Sequence, residues 1–218
     1  RLASMGDVVS LIAHEVRNPL STIKATAQMG SMTDDKEKMK KLFKRVNKNS
    51  DKINKFIEET LKLAKSPTKE MVNFKISEII NDLSILINPL MKQNQIEFIK
   101  NIQSELPEIK GNKIALEQSL MNIFKNSIDA TPEGGKITLS IHQSNKNNIR
   151  IEIEDTGSGI PEKIQDKLFK KFFTTKGEKG TGIGLAFVHK IIKEHNGEIW
   201  FETEPKEGTT FFIELPVK

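Results

Sequence analysis

The chain has 218 residues, 36% of them apolar and 29% charged, and its 34 Lys and Arg against 29 Asp and Glu leave a formal charge of +5. That length holds one ordinary domain or two small ones, and apolar residues spread along it suffice for a packed core, which excludes wholesale disorder. The absence of cysteine, of any apolar run near the ~18 residues of a membrane span and of a leader-like start removes disulfide scaffolds, thiolate metal sites and membrane-spanning classes, so a reducing cytoplasm is the expected location. The chain opens on Arg1 and reads as a fragment of something longer.

In chain order, Leu2, Met5, Val9, Ile12, Val16, Pro19 and Ile23 fall on a spacing that a helix gathers into one seam. In that heptad frame His14 takes an outward f position. A second seam runs through Met39, Leu42, Val46, Asn49, Ile53, Phe56, Thr60 and Leu63, and between the two Gly30 to Asp35 offers a C-cap glycine, turn residues and an N-cap. A helical hairpin over residues 1–66 is predicted. Two helices alone bury too little surface to stand, so two hairpins joined as a dimeric four-helix bundle are expected. Residues 1–66 carry 14 basic and 8 acidic groups, the remainder 20 and 21. A basic run of this kind is a solvated face or a surface for an acidic protein, a membrane or nucleic acid. No aromatic interleaving or groove-reading helix accompanies it, so nucleic acid is not expected.

Residues 67–70 read as a linker to a domain over 71–218. There Lys136–Gln143 and Asn148–Glu154 alternate with period two and are predicted to pair, with further strands at 95–102, 198–203 and 209–215. Helical periodicity covers 77–90, 113–130 and 183–195. Helices inserted between largely antiparallel strands predict an α+β sandwich with helices on one sheet face.

Three clusters in this domain carry chemistry. Asp155-Thr156-Gly157-Ser158-Gly159-Ile160 follows a strand: its glycines let backbone approach a ligand, and a carboxylate at a strand end accepts a hydrogen bond from an exocyclic amine. Gly180-Thr181-Gly182-Ile183-Gly184-Leu185 opens a helix, whose terminal amides suit phosphate oxygens, but it lacks the preceding strand and βαβ context of a dinucleotide fingerprint. Asn122 and Asn126, one turn apart on a helix, share a face on which amide oxygens suit a hard, largely hydrated ion such as Mg²⁺.

In order, Asn122–Ala130, Asp155–Ile160, Phe169-x-x-Phe172-Phe173, Gly180–Leu185 and Gly208-Thr209-Thr210 resemble the N, G1, F, G2 and terminal G-T boxes of the ATP-binding domain of sensor histidine kinases. The wider fold family includes the Hsp90, MutL and gyrase ATPases. The resemblance implies that Asp155 holds the adenine amine, that Asn122 and Asn126 bind Mg²⁺ and phosphate, and that Gly157 and Gly159 shape the adenine pocket. It also implies that Thr209 or Thr210 reaches the base through water, and that Gly180, Gly182 and Gly184 belong to a lid over about 165–181 with Lys176 and Lys179 as phosphate contacts. His14-Glu15-Val16-Arg17-Asn18-Pro19-Leu20 likewise resembles the phosphoacceptor motif of the same family. By that resemblance His14 is the nucleophile toward the γ-phosphoryl of ATP, Glu15 fixes its tautomer, and Asn18 positions water for a phosphatase reaction.

The expected protein is therefore the cytoplasmic core of a dimeric kinase of sporulation or nitrogen-regulatory type, with its sensor region absent and membrane anchoring of the full-length protein open. Its partner would be a response regulator with an acidic phosphoacceptor pocket. Two alternatives stand beside it: an Hsp90/MutL-like ATPase clamp without phosphohistidine, and a nucleotide-switched nucleic-acid-binding module. Asn122 argues against the clamp, because hydrolysing relatives usually carry a glutamate there.

Overall fold

The computed structural model describes residues 2–64, 70–177 and 180–217, without the side chains of 2–12, 14, 15, 55, 59 and 62–64. The chain divides into two units, Arg1–Ala64 and Lys65–Lys218. Among the described residues no helix is long and apolar enough to cross a membrane.

The first unit is a hairpin of α1 (Leu2–Gly30) and α2 (Lys36–Ala64). Asp35 starts α2 as anticipated, its Oδ1 accepting the N–H groups of Glu37 and Lys38 at 2.9 and 3.1 Å. From Met39 to Thr60 the predicted α2 seam is the less exposed side of that helix, with Phe56 buried and the polar intruder Thr60 donating back to the Phe56 carbonyl at 2.7 Å; the side chain of Leu63 lies outside the described residues. Helix α1 runs through the buried Pro19 without interruption. A single hairpin leaves Leu20, Phe43, Ile57 and Leu61 open to solvent.

The second unit takes the order β1 (Val72–Lys75), α3 (Ile76–Gln93), β2 (Glu97–Ile102), β3 (Glu108–Gly111), α4 (Lys113–Ala130), β4 (Lys136–Asn145), β5 (Asn148–Asp155), α5 (Glu162–Gln165), α6 (Gly184–Glu194), β6 (Glu198–Glu204) and β7 (Gly208–Pro216). One sheet has the strand order β2-β4-β5-β7-β6, with β4 and β5 neighbours as expected; β1 and β3 form a separate antiparallel pair. Among the described residues only β2 and β4 run parallel, which a connection long enough to carry β3 and α4 permits. Strands β1 and β3 were not anticipated. At four residues each, they are too short for a period of two to stand out.

Helices α3, α4 and α6 cover the sheet face formed by Ile137, Leu139 and Ile141 of β4, Ile149, Ile151 and Ile153 of β5, and Phe211, Ile213 and Leu215 of β7, all buried. Phe124 of α4 meets Phe98 of β2 edge to face at 5.8 Å. The alternate positions form the other face, where Arg150 pairs with Glu214 at 2.7 Å and lies over Trp200, itself stacked on Phe212. Asn112 caps α4 by accepting the Ala115 N–H at 2.9 Å.

His195 explains how the start of α4 is joined to the end of α6. It is 5% exposed, its Nε2 accepts the Asn112 N–H at 2.8 Å, and its Nδ1 lies 2.7 Å from the Ile191 carbonyl. One tautomer, protonated on Nδ1, satisfies both contacts. The ring is therefore held at both nitrogens, and a Cβ on Gly111 would lie 2.6 Å from its Cδ2. Gly111→Ala should lower stability by about 1–3 kcal/mol through overpacking. Urea unfolding of the chain measures this, and an unchanged midpoint would contradict the close approach.

Candidate functional site

The C-terminal half of α4, the end of β5 and the start of β7 meet around Asp155. This residue closes β5 opposite Thr209 of β7 and is 3% exposed. Its Oδ1 accepts the Gly157 N–H at 3.0 Å. Burial pushes its carboxyl above the usual range, and the Ser127 hydroxyl and the N–H groups of Gly157 and Thr209 oppose that rise; neighbouring Glu154 adds to it. Gly157 is required by space: a Cβ there would stand 2.6 Å from Asp155 Oδ1 and 2.8 Å from the Ala130 carbonyl oxygen. The following residue, Ser158, donates its N–H to the same Ala130 carbonyl, which ties the loop to the end of α4. Gly159 backs onto the Glu204 carbonyl of β6.

The two threonines separate by strand alternation. Thr209 is paired with Asp155, buried, and has its Oγ1 3.0 Å from Thr203 Oγ1. Thr210 pairs with Glu154 and Glu202 and so belongs to the opposite sheet face. Only Thr209 shares a face with Asp155.

Asn122 and Asn126 lie on α4. Gly184, the first residue of α6, comes within 3.7 Å of the Asn122 Cγ when given a Cβ, so the N-terminus of α6 opens against this asparagine. Asn126 Oδ1 accepts from the Lys176 ammonium at 2.7 Å, and Asp129 Oδ2 takes the same ammonium at 2.7 Å. Sequence reasoning passed over Asp129, although its place three residues beyond Asn126 on a helix is the signal that could have found it.

The connection from α5 to α6 is pinned at its base. The Phe172 N–H donates to the Gly182 carbonyl at 2.7 Å, and a Cβ on Gly182, whose φ is +66°, would overlap the Phe172 carbonyl carbon. Phe169 packs on His189 of α6 at 5.5 Å and on Phe201 of β6 at 6.0 Å. Gly180 closes against Thr174, whose Oγ1 accepts the Lys176 N–H at 3.1 Å. Lys179 lies outside the described residues. His14 and Glu15 fall within α1 with undescribed side chains; Asn18, one turn on, is exposed, and its carbonyl accepts from Thr22 Oγ1 at 3.2 Å. The remaining histidines have ordinary roles: His142 faces Glu152 at 4.0 Å on the outer sheet face, and His189 and His195 are packed.

This set has the donors a nucleoside triphosphate and its ion demand. A buried acceptor suits a base amine, the amides at the start of α6 suit phosphate, and oxygens already holding an ammonium suit a cation.

Residues 111–218 match the family model described as histidine kinase-, DNA gyrase B- and HSP90-like ATPase, and residues 4–69 match the His Kinase A (phospho-acceptor) domain. The signal transduction histidine-protein kinase AtoS of Escherichia coli (strain K12) is 33% identical over 217 residues, covering 100% of this chain and 36% of its own length. Sporulation kinase A of Bacillus subtilis (strain 168) is 33% identical over 221 residues, with the same two coverages. The chain thus spans about a third of the length of these two relatives. The solved catalytic domain of histidine kinase ThkA is similar at TM-score 0.62 and 33% identity, over 68% of this chain and 98% of that one. The structure of ThkA in complex with response regulator protein TrrA is similar at TM-score 0.81 and 29% identity, over 100% of this chain and 63% of that one.

Proposed function

The chain belongs to the sensor histidine kinase family, and from that premise we propose that it is an ATP-dependent protein-histidine kinase core that phosphorylates its own His14 and passes the phosphoryl group to an aspartate of a response regulator. The observation that carries the reading is the meeting of the buried Asp155 acceptor, the asparagine face of α4 and the N-terminus of α6 within one domain, on a chain whose other unit bears His14 on a long helix.

In this reading Asp155 accepts a hydrogen bond from the adenine amine, and Thr209, on the same face, reaches the base through water. Asn122 and the amides at Gly184 meet the polyphosphate, with Gly180 and Gly182 shaping the loop above it. Asn126, with Asn122, would hold Mg²⁺, which when bound neutralises charge on the phosphate oxygens. Lys176, whose ammonium already bridges Asn126 and Asp129, is within reach of the same region, and Lys179 is a second phosphate contact. A neutral imidazole attacks through the nitrogen without a proton, while Glu15 holds the other N–H and so fixes the tautomer. The new bond is N–P, the bond broken joins the γ-phosphorus to the β,γ-bridging oxygen, and ADP leaves. Asn18 would orient water when the regulator is dephosphorylated.

A homodimer through residues 1–66 follows from the same reading. Exposed Leu20, Phe43, Ile57 and Leu61 would find cover against a second hairpin. ThkA, solved with a response regulator, supplies the precedent for the partner. Lys41, Lys44 and Arg45 are exposed on α2 and could steer an acidic pocket toward His14. Changing all three to glutamate should slow transfer to the regulator roughly tenfold or more at low salt, and less at high salt, while sparing autophosphorylation. Equal loss in both steps, measured separately, would reduce that charge to a solvated face.

The test of the whole reading is incubation with γ-labelled ATP and Mg²⁺. The expected product is labelled protein whose label is lost in acid and kept in alkali. Hydrolysis of ATP with no labelled protein would instead support an ATPase clamp.

A further inference from the structure

We propose that His195 is a positioning residue for phosphate binding: by holding the end of α6 to the start of α4 it sets how far α6 lies along that helix, and so where the amides at the other end of α6 stand relative to Asn122. This rests on the assignment of the polyphosphate to Asn122 and the N-terminus of α6.

Two contacts define how α6 lies on α4. At one, the His195 ring closes α6 and accepts the N–H of Asn112, the residue that caps α4, at 2.8 Å. At the other, Gly184 opens α6 beside the side chain of Asn122. Helix α6 therefore runs antiparallel along the first half of α4. Asn112 and Asn122 are ten positions apart and Gly184 and His195 eleven, so the two spans match, at about 15 and 16.5 Å.

The contact at the histidine end is the directional one. Both helices bury apolar side chains, Val188 and Ile191 on α6 and Leu120 and Ile123 on α4, but apolar burial rewards area and has no preferred direction. A hydrogen bond weakens steeply once it lengthens or bends. A slide of α6 by one residue, about 1.5 Å, would break this one. The ring cannot follow such a slide. Its Nδ1 is tied to the Ile191 carbonyl, one turn back in its own helix, at 2.7 Å, and the Gly111 backbone stands so close that a Cβ there would lie 2.8 Å from Nε2. At the far end, the first amides of α6 have no carbonyl of their own helix to meet. Donated to a phosphate oxygen they make hydrogen bonds to charge, and a displacement of about 1 Å forfeits much of that gain.

Calorimetric titration of the full chain with ADP and Mg²⁺, and with adenosine, tests this on variants shown by circular dichroism to be folded. His195→Leu fills the space without an acceptor; it should weaken ADP roughly tenfold and leave adenosine, which has the base and no phosphate, unchanged. His195→Gln places an amide oxygen where Nε2 lies, keeps the acceptor for Asn112 and should restore most of the ADP affinity. Gly111→Ala displaces the ring while keeping the histidine, and gives the same reading as leucine should that variant fold poorly. Unchanged ADP affinity in the folded variants overturns the proposal. So does an equal loss for ADP and adenosine, which is general loosening, or a glutamine variant that behaves like leucine. If the wild-type chain binds ADP no tighter than adenosine, the phosphate assignment itself is wrong and the role of His195 falls with it; a wild-type preference for ADP that His195→Leu leaves intact sinks the His195 proposal alone.

Discussion

Asp155→Asn is expected to weaken adenine-nucleotide binding by on the order of 100-fold, because a hydrogen bond to a buried charged group is worth about 1.5–3 kcal/mol and the replacement adds a repulsive contact. Asparagine has the same shape but turns one acceptor edge into donors. Those donors would face the Gly157 N–H or the incoming base amine. Calorimetry with ADP reads the loss directly, and an undiminished affinity would remove Asp155 from the base pocket. The pH dependence carries the same information. Burial raises the carboxyl of Asp155, so as pH falls it takes up a proton earlier than an ordinary aspartate would. Wild-type affinity should therefore weaken on acidification from a higher pH than a normal carboxylate dictates, and the asparagine variant should lack that component. Folding stability moves the other way. A raised carboxyl pKa means the folded state binds the proton more tightly than the unfolded one, so Asp155 costs stability when ionised and that cost disappears as pH falls through its folded pKa. A carboxyl whose charged form is disfavoured by burial is consistent with a binding role.

His14→Gln is expected to abolish labelling from γ-labelled ATP, a fall of at least about a thousandfold, while nucleotide binding is unchanged. The amide of glutamine is polar and of similar reach, but its nitrogen has no available lone pair with which to attack phosphorus. The separation of effects is the informative part. His14 belongs to the Arg1–Ala64 unit and the nucleotide site to Lys65–Lys218, so the two variants should lose different steps: Asp155→Asn loses binding, and His14→Gln keeps binding and loses transfer. Label persisting in His14→Gln would assign the phosphoryl group to another side chain. His195 is a poor candidate, since both ring nitrogens are committed to the backbone of Asn112 and Ile191.

Much of the fold was legible because it repeats over long segments. The seam from Met39 to Thr60 has one residue per turn to report it, and the alternating isoleucines of β4 and β5 announce both strands and their pairing. Strands β1 and β3 were silent for want of length. The parallel pairing of β2 with β4 was also hidden, since direction depends on the path of the connection and not on the residues of either strand. In the site, box residues stood out because glycine, asparagine and aspartate at fixed spacing serve local backbone needs. Asp129 was passed over because it does nothing distinctive on its own helix.

The sequence by itself determined the two-unit plan, the hairpin with His14 on its first helix, the sheet-and-helix domain and the resemblance to one kinase family, since each of these rests on periodicity or chemistry within a single stretch of chain. The tertiary structure decided what no single stretch contains: that Thr209 shares a face with Asp155 and Thr210 does not, that Lys176 bridges Asn126 and Asp129, and that the buried His195 ring accepts the N–H of Asn112 at the start of α4. The physical reason is that a hydrogen bond or an ion pair depends on distance in space. That distance is set by strand register and helix packing, and these exist only once the distant parts of the chain have come together.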